Sequence, residues 1–311
     1  MALTTVDQGL LNSYAQYTGF KNRIINGAMM IDQRNAGASF VASNLGYGID
    51  RWMTQTVGAT GTGQRVTGST GNNSALRITG ASSLVLFQVS QRIESNNIYD
   101  CASQAVSVSF TLYGSTSGSV SVRFLYPTAT DNYTSTTEPV AGTTVNFTTT
   151  PTQYTVSRTL DSNANKGVWI ILDFGAVGSG VTRTIEFFQL EKGSTATSFD
   201  YRPYGTELAL CQRYFQLCAF MGVAYNTGEM GIASQNKVTM RAQASMSTVL
   251  YNGDAYTGTA NNIVRVGVGN ISTGSASYNA SSTGNNIGNI LCSGLTAGGI
   301  YFGSFQASAE L

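Results

Sequence analysis

The 311-residue chain contains no histidine, which removes the commonest general base and the commonest metal-binding side chain. A Ser-His-Asp or Cys-His relay is therefore excluded, and a zinc site would have to rely on cysteines and carboxylates alone. Charge is scarce: 17 basic and 16 acidic residues, 11% of the chain, balance to +1. Such a balance leaves no basic face, so no nucleic-acid partner is expected. No apolar run approaches the roughly 20 residues that span a bilayer as a helix, and no membrane insertion is expected. The four cysteines, Cys101, Cys211, Cys218 and Cys292, include no Cys-x-x-Cys pair. The opening Met-Ala-Leu-Thr-Thr-Val-Asp-Gln has neither the basic start nor the apolar core of a signal peptide. Assembly in a cytoplasm is the expectation, with the cysteines as buried, reduced thiols.

What is present is β chemistry. Apolar residues make up 42% of the chain, 35 glycines punctuate it and only 4 prolines interrupt it, so it can fill a core rather than stay disordered. Val106, Val108, Phe110 and Leu112 alternate with polar residues, as do Val120, Val122, Phe124 and Tyr126. The short Gly-Ser-rich stretch 114 to 118 between them predicts a hairpin. Trp169-Ile-Ile-Leu-Asp-Phe174 is apolar almost throughout, the pattern of a central strand covered on both faces, and Trp52 and Trp169 are expected in the core. Thr206 as N-cap, Glu207 in the first turn, and Leu208, Cys211 and Phe215 at helical spacing predict a short helix. Val238, Met240 and Ala242 alternate again, and apolar strands are expected at 263–268 and 300–305. The predicted fold is all-β: two antiparallel β-sandwich or jelly-roll modules. Its predicted parts are a helical docking arm at 1–19, a jelly roll at 20–204, a helical link at 205–215 and a smaller sandwich at 216–311.

Three segments carry a further signal. They are Phe20-Lys-Asn-Arg-Ile-Ile-Asn-Gly-Ala-Met-Met-Ile-Asp-Gln-Arg34, Tyr47-Gly-Ile-Asp-Arg-Trp52, and the joint from Phe188 through Lys192-Gly193-Ser194, Phe199, Tyr201 and Pro203 to Phe215. Together with the ending Gly294–Leu311, they resemble a family of bacteriophage structural proteins, the tail-fibre or receptor-binding proteins. The resemblance implies a virion protein without catalytic activity, located on a tail or capsid surface after assembly in the host cytoplasm. It implies attachment to other virion proteins through the N-terminal arm, and a host-surface polysaccharide as ligand. It also implies a homotrimer, with Leu208, Leu210 and Cys211 as candidate three-fold contacts. A capsid decoration or cement protein is the alternative, and a glycan hydrolase a third reading.

Sugars are held by aromatic faces flanked by amides and carboxylates. Tyr251-Asn-Gly-Asp-Ala-Tyr256 places two rings around a turn with Asn252 and Asp254, and it is the leading candidate. Tyr126 and Tyr133 are further candidates at expected strand ends. Asp173, Glu186, Glu191 and Asp200 are the carboxylates a hydrolase would draw on, although no spacing marks an acid and nucleophile pair. No cofactor is expected; a structural calcium ion has candidate ligands in Asp50, Asp173 and Glu191.

Overall fold

The computed structural model describes residues 20–42, 44–71, 73–233, 237–242, 245–249, 262–265, 269–272, 276–279, 289–292 and 295–311. The expected arm at 1–19 and the 251–256 turn lie outside these residues. The chain divides into two compact units that meet in sequence at Tyr204 and Gly205, with Leu311 grouped with the first.

The first unit begins with β1 (Phe40–Ala42), β2 (Gly46–Tyr47), β3 (Met53–Val57), β4 (Gly61–Thr67), β5 (Ser74–Thr79) and β6 (Leu86–Glu94). It continues with β7 (Ala105–Gly114), β8 (Gly118–Ala129), β9 (Asn132–Thr137), β10 (Thr143–Phe147), β11 (Thr152–Thr159), β12 (Gly167–Asp173) and β13 (Thr182–Lys192). Sheet I has the order β1-β4-β5-β13-β7-β11, and sheet II the order β10-β8-β12-β6-β3-β2, with β9 added to β8. From β5 to β8, and again from β10 to β13, the chain alternates between the sheets, and every pairing is antiparallel. This is the two-layer architecture that the alternating strands predict.

One local expectation fails in an instructive way. β7 and β8 do not form a hairpin: β7 lies between β13 and β11 in sheet I, and β8 between β12 and β10 in sheet II. The link at 115–117 is an arch across the sandwich. Alternation shows only that each strand has one buried face, and an arch buries both faces as well as a hairpin does. Val106, Val108, Phe110 and Leu112 thus join Val120, Val122, Phe124 and Tyr126 in one core. Within it, Phe110 stacks on Phe188 at 5.3 Å, and Trp52 meets Phe188 edge-on at 5.3 Å. β12 is central, between β8 and β6, and buried along both faces. Its even positions Val168, Ile170 and Leu172 enter the main core, whereas Trp169 and Ile171 form a separate cluster with Tyr133 on the other face of sheet II.

The second unit starts with α1 (Tyr204–Gln212), which is shorter than expected because Phe215 already begins β14 (Phe215–Ala224). Further strands are β15 (Glu229–Ala233), β16 (Ser245–Val249), β17 (Asn262–Arg265), β18 (Gly269–Ser272), β19 (Ala276–Asn279), β20 (Asn289–Cys292) and β21 (Ile300–Ser308). They form one antiparallel sheet, β18-β17-β21-β14-β15-β20-β19, with β16 also on β21. β16 lies against β19 from the far end of that order, so the sheet curls back on itself. The alternation at 238–242 is not a strand. Gln216 brackets that segment instead, donating to the Val238 carbonyl at 3.1 Å and accepting from the Lys237 N–H at 2.7 Å.

Candidate functional site

The site is built around a defect in β13. Glu186 pairs with Thr111 but the next paired residue is Gln189, opposite Ser109, so Phe187 and Phe188 share the space of one residue. Phe187 takes φ +50°, a left-handed conformation that costs a non-glycine residue about 1–3 kcal/mol. The bulge sends consecutive rings to opposite faces: Phe188 enters the core, while Phe187 meets Phe199 at 5.3 Å and Tyr201 at 5.9 Å on the outside of sheet I. Bulges serve to re-aim a side chain in this way.

The opening segment is shaped to fit the bulge. The Phe188 N–H donates to the Gly27 carbonyl at 2.9 Å, and a Cβ on Gly27 would lie 2.2 Å from the Phe188 oxygen, so only glycine permits the approach. Asn26 ties the neighbourhood together. Its side chain donates to the carbonyls of Ile31 at 2.8 Å and Asp50 at 2.9 Å and accepts from the Ile31 N–H at 2.9 Å, while its carbonyl accepts from the Trp52 indole at 2.9 Å. The three segments 20–34, 47–52 and 188–202 thereby meet around one bulge.

After β13 the chain crosses back over sheet I as an irregular strap, not the strand that the Phe199, Tyr201 alternation suggests. Glu191 accepts from the Thr197 N–H and hydroxyl, both at 2.7 Å; Gln189 accepts from the Asp200 N–H at 2.7 Å. Asp200 in turn accepts from the N–H groups of Lys21 at 2.8 Å and Asn22 at 3.2 Å, and Arg202 donates to the carbonyls of Ile24, at 2.9 Å, and Asn22. With its polar positions pinned inward, the strap presents Phe199 and Tyr201 outward, 4.9 Å apart.

A third wall comes from the β4–β5 loop, held by Glu186. This fully buried carboxylate accepts from the Ser69 N–H at 2.8 Å, the Ser69 hydroxyl at 2.9 Å and the Asn73 amide at 2.7 Å. Tyr113 lies within the influence of this carboxylate, and burial, followed by Glu186, pushes the phenol up to about 12. The result is a cavity of about 320 Å³ lined by Ala28, Met30, Thr70, Asn73, Ser74, Phe187 and Tyr201. That volume lies at the small end of ligand sites, about 300–1,000 Å³. Tyr201 is 64% exposed, so its ring is open to a ligand.

The residues singled out from sequence fare differently. Tyr251, Asn252, Asp254 and Tyr256 lie outside the described residues. Tyr126 and Tyr133 are corrected: both are buried and have no face to offer. Tyr126 falls in phase with Val122 and Phe124 because β8 runs on to Ala129, and its oxygen accepts from the Asp161 N–H at 3.2 Å. The Tyr133 hydroxyl donates to Ile93 at 2.6 Å and Val168 at 3.3 Å, and Arg92 lies over both its ring, at 5.3 Å, and that of Trp169, at 4.3 Å. Of the three-fold candidates, Leu208 and Leu210 are half-buried and Cys211 is fully buried; Cys101, Cys211 and Cys218 form no disulfide among the described residues. Among the described residues, no group of three or more metal-ligating side chains comes together. Asp50 accepts from the Gln33 N–H and side-chain amide, each at 2.6 Å, and Asp173 from Gln88 at 2.7 Å and Arg123 at 3.2 Å. With Glu186, Glu191 and Asp200 bonded as above, each of the four hydrolase candidates serves a structural contact.

Phe187 and Tyr201 were the residues sequence reasoning missed. Their signal in the sequence is the aromatic density of the joint, where Phe187, Phe188, Phe199 and Tyr201 fall close together.

Comparison with known proteins finds similar architectures among solved structures. One, described as "CBM4 structure and function", has 20% identity, covering 54% of this chain and 98% of its own at a TM-score of 0.35. A second is the enzymatically active domain of tailspike protein 4 from bacteriophage CBA120, with 14% identity, 55% and 21% coverage, and a TM-score of 0.39. A third is the family 11 carbohydrate-binding module from Clostridium thermocellum in complex with a β-1,3-1,4-mixed-linked tetrasaccharide, with 12% identity, 51% and 96% coverage, and a TM-score of 0.31. No family model matches the chain, and no curated protein does. These are likenesses of fold at low identity, and no residue role passes from them to this chain.

Proposed function

We propose that this protein is a non-enzymatic glycan-binding protein of a bacteriophage virion, a tail fibre or appendage whose first unit holds a host-surface sugar against Phe187 and Tyr201. The observation that carries the binding role is the cavity: two ring faces, one widely exposed, beside the hydroxyls of Thr70 and Ser74. Rings stack on the C–H faces of a sugar, and hydroxyls orient it. The structural engagement of Asp173, Glu186, Glu191 and Asp200 supports binding over hydrolysis. The virion role rests on the sequence resemblance. Homotrimeric assembly would present several weak sites at once and convert them into firm adhesion.

A capsid decoration role is the second reading. Met221, Val223, Tyr225 and Ile300 are exposed on the second unit, with Val223 opposite Ile300 on paired central strands. An apolar patch of this kind suits contact with another protein.

The test is titration of purified protein, at measured oligomeric state, against immobilised bacterial surface polysaccharides, beside Tyr201→Ala. Saturable binding that weakens by at least about tenfold in a variant of unchanged melting temperature supports the reading. A folded, assembled protein that binds no polysaccharide overturns it in favour of decoration.

A further inference from the structure

We propose that the Phe187–Tyr201 cavity selects an uncharged sugar ring bearing a methyl group, either at a deoxy C6 or in an N-acetyl substituent. The inference rests on the glycan-binding reading above and narrows its ligand.

Charge is the first observation. None of the described residues lining the cavity is an aspartate, glutamate, lysine or arginine. Glu186, hydrogen-bonded to the lining residue Asn73, is completely buried and is held by the Ser69 N–H and hydroxyl and the Asn73 amide. No ion pair reaches it among the described residues. Its negative charge therefore stands directly behind Asn73 and Phe187, where a uronate or other acidic sugar would meet repulsion in a poorly screened setting. Arg77 acts electrostatically on Tyr113 and does not line the cavity.

The supply of hydrogen-bonding groups is the second. Asn73 looks like a sugar-binding amide, but its nitrogen donates to Glu186 at 2.7 Å and its oxygen accepts from the Thr70 N–H at 3.1 Å and hydroxyl at 2.5 Å. Those bonds leave the hydroxyls of Ser74 and Tyr201 and the acceptor side of Thr70 as the polar side-chain contacts on offer. A fully hydroxylated ring carries more hydroxyls than these three groups can pair, and any that the cavity buries without a partner is costly. Ala28 and Met30 line the cavity with the two rings, and a methyl group placed there gives up no hydrogen bond and buries apolar surface.

The experiment titrates L-fucose against L-galactose, which differ by one hydroxyl, and N-acetylglucosamine against glucose, with galacturonate as the acidic probe. The wild-type protein is expected to prefer one methyl-bearing sugar to its parent by roughly four- to tenfold, and the successful pair identifies whether the methyl is a deoxy carbon or an acetyl. Galacturonate is expected not to bind. Met30→Gln, at a half-buried position, is expected to abolish the preference while residual binding remains, with Ala28→Ser as a one-atom alternative. Equal affinity within both pairs, or preference for galacturonate, in each case sensitive to Tyr201→Ala, overturns this inference and leaves glycan binding standing. No binding of any sugar by correctly folded protein overturns both.

Discussion

The two outer faces of the first unit draw on similar residue types and put them to opposite uses. On sheet II, Tyr133 and Trp169 meet edge to face at 6.4 Å under the Arg92 guanidinium, and both rings are buried. On sheet I, Phe187, Phe199 and Tyr201 make a closer cluster, 4.9 to 5.9 Å between centroids, but a bulge and a strap hold it at the surface beside a cavity. Aromatic content does not distinguish the faces. What differs is the backbone: β12 continues without interruption through Trp169, whereas β13 breaks register at Phe187 and stores strain there. Strained backbone clusters at ligand-binding sites, and the strain at Phe187 fits the binding role proposed for it.

The largest effects should come from rings that hold the fold. Phe188→Ala, at the centre of the Trp52 and Phe110 contacts, and Trp169→Ala are each expected to lower unfolding free energy by about 3–5 kcal/mol, measured by denaturant titration. Trp169→Phe should behave differently. The indole N–H of Trp169 is buried with no hydrogen-bond partner among the described residues, a liability of about 1–3 kcal/mol. Phenylalanine keeps the ring under Arg92 and removes that N–H, so its stability is expected within about 1 kcal/mol of wild type. A Trp169→Phe loss as large as that of Trp169→Ala would show that the indole is a working donor, and would break the contrast between the faces.

Phe187→Gly is the next test. Glycine adopts φ +50° without penalty, so relief of strain should offset the lost ring contacts and hold the stability change to about 1 kcal/mol. Glycan binding should nevertheless fall at least about tenfold. Destabilisation by several kcal/mol would mean that Phe187 supports the fold, as Phe188 does.

A smaller effect follows from alkaline titration. Burial, against the opposing pull of Arg23, pushes the Cys101 thiol from its ordinary value near 9 up to about 11, and Tyr113 rises from 10 to about 12. Both groups are raised in the folded state, so their contribution is intact below about pH 9 and is lost as pH climbs through 11 and 12. Melting temperature is expected to fall across that window, with Cys101 contributing no more than about 1.4 kcal/mol per pH unit. Cys101→Ala should flatten the fall between pH 9 and 11, and Tyr113→Phe should flatten it above 10; an unchanged slope in both variants would refute the assignment.

Much of this architecture was legible in the sequence because period-2 alternation and a fully apolar β12 report burial directly. Alternation could not report partners, and so β7 and β8 looked like a hairpin though they face each other across the core. It also could not separate a strand from a strap: Phe199 and Tyr201 alternate because Gln189 and Asp200 pin the intervening positions, not because a ladder does. Tyr126 and Tyr133 were misplaced for the converse reason, since polar neighbours suggested loops where strands continued. The bulge left one trace, adjacent Phe187 and Phe188 in an otherwise alternating run, and such a doublet is as common in a strand buried on both faces.

The smallest effect contrasts two carboxylates. Glu186 on the sheet I side is buried with three donors, while Glu138 on the sheet II side grips Arg123 at 2.6 Å through a pair that is only partly buried. The guanidinium contacts, Nη2 at 2.6 Å and Nε at 3.0 and 3.2 Å, are charge-assisted and hold the Arg123 pKa above its ordinary value, Glu138 being the main cause. Glu138→Gln nevertheless leaves Arg123 paired with Asp173 at 3.2 Å. Its expected cost is therefore about 0.2–1 kcal/mol, the range of exposed ion pairs, and the difference from wild type should shrink as salt is raised. A loss of several kcal/mol, or one indifferent to salt, would mean that the Glu138–Arg123 pair is as desolvated as Glu186, and the two faces would then differ in their rings alone.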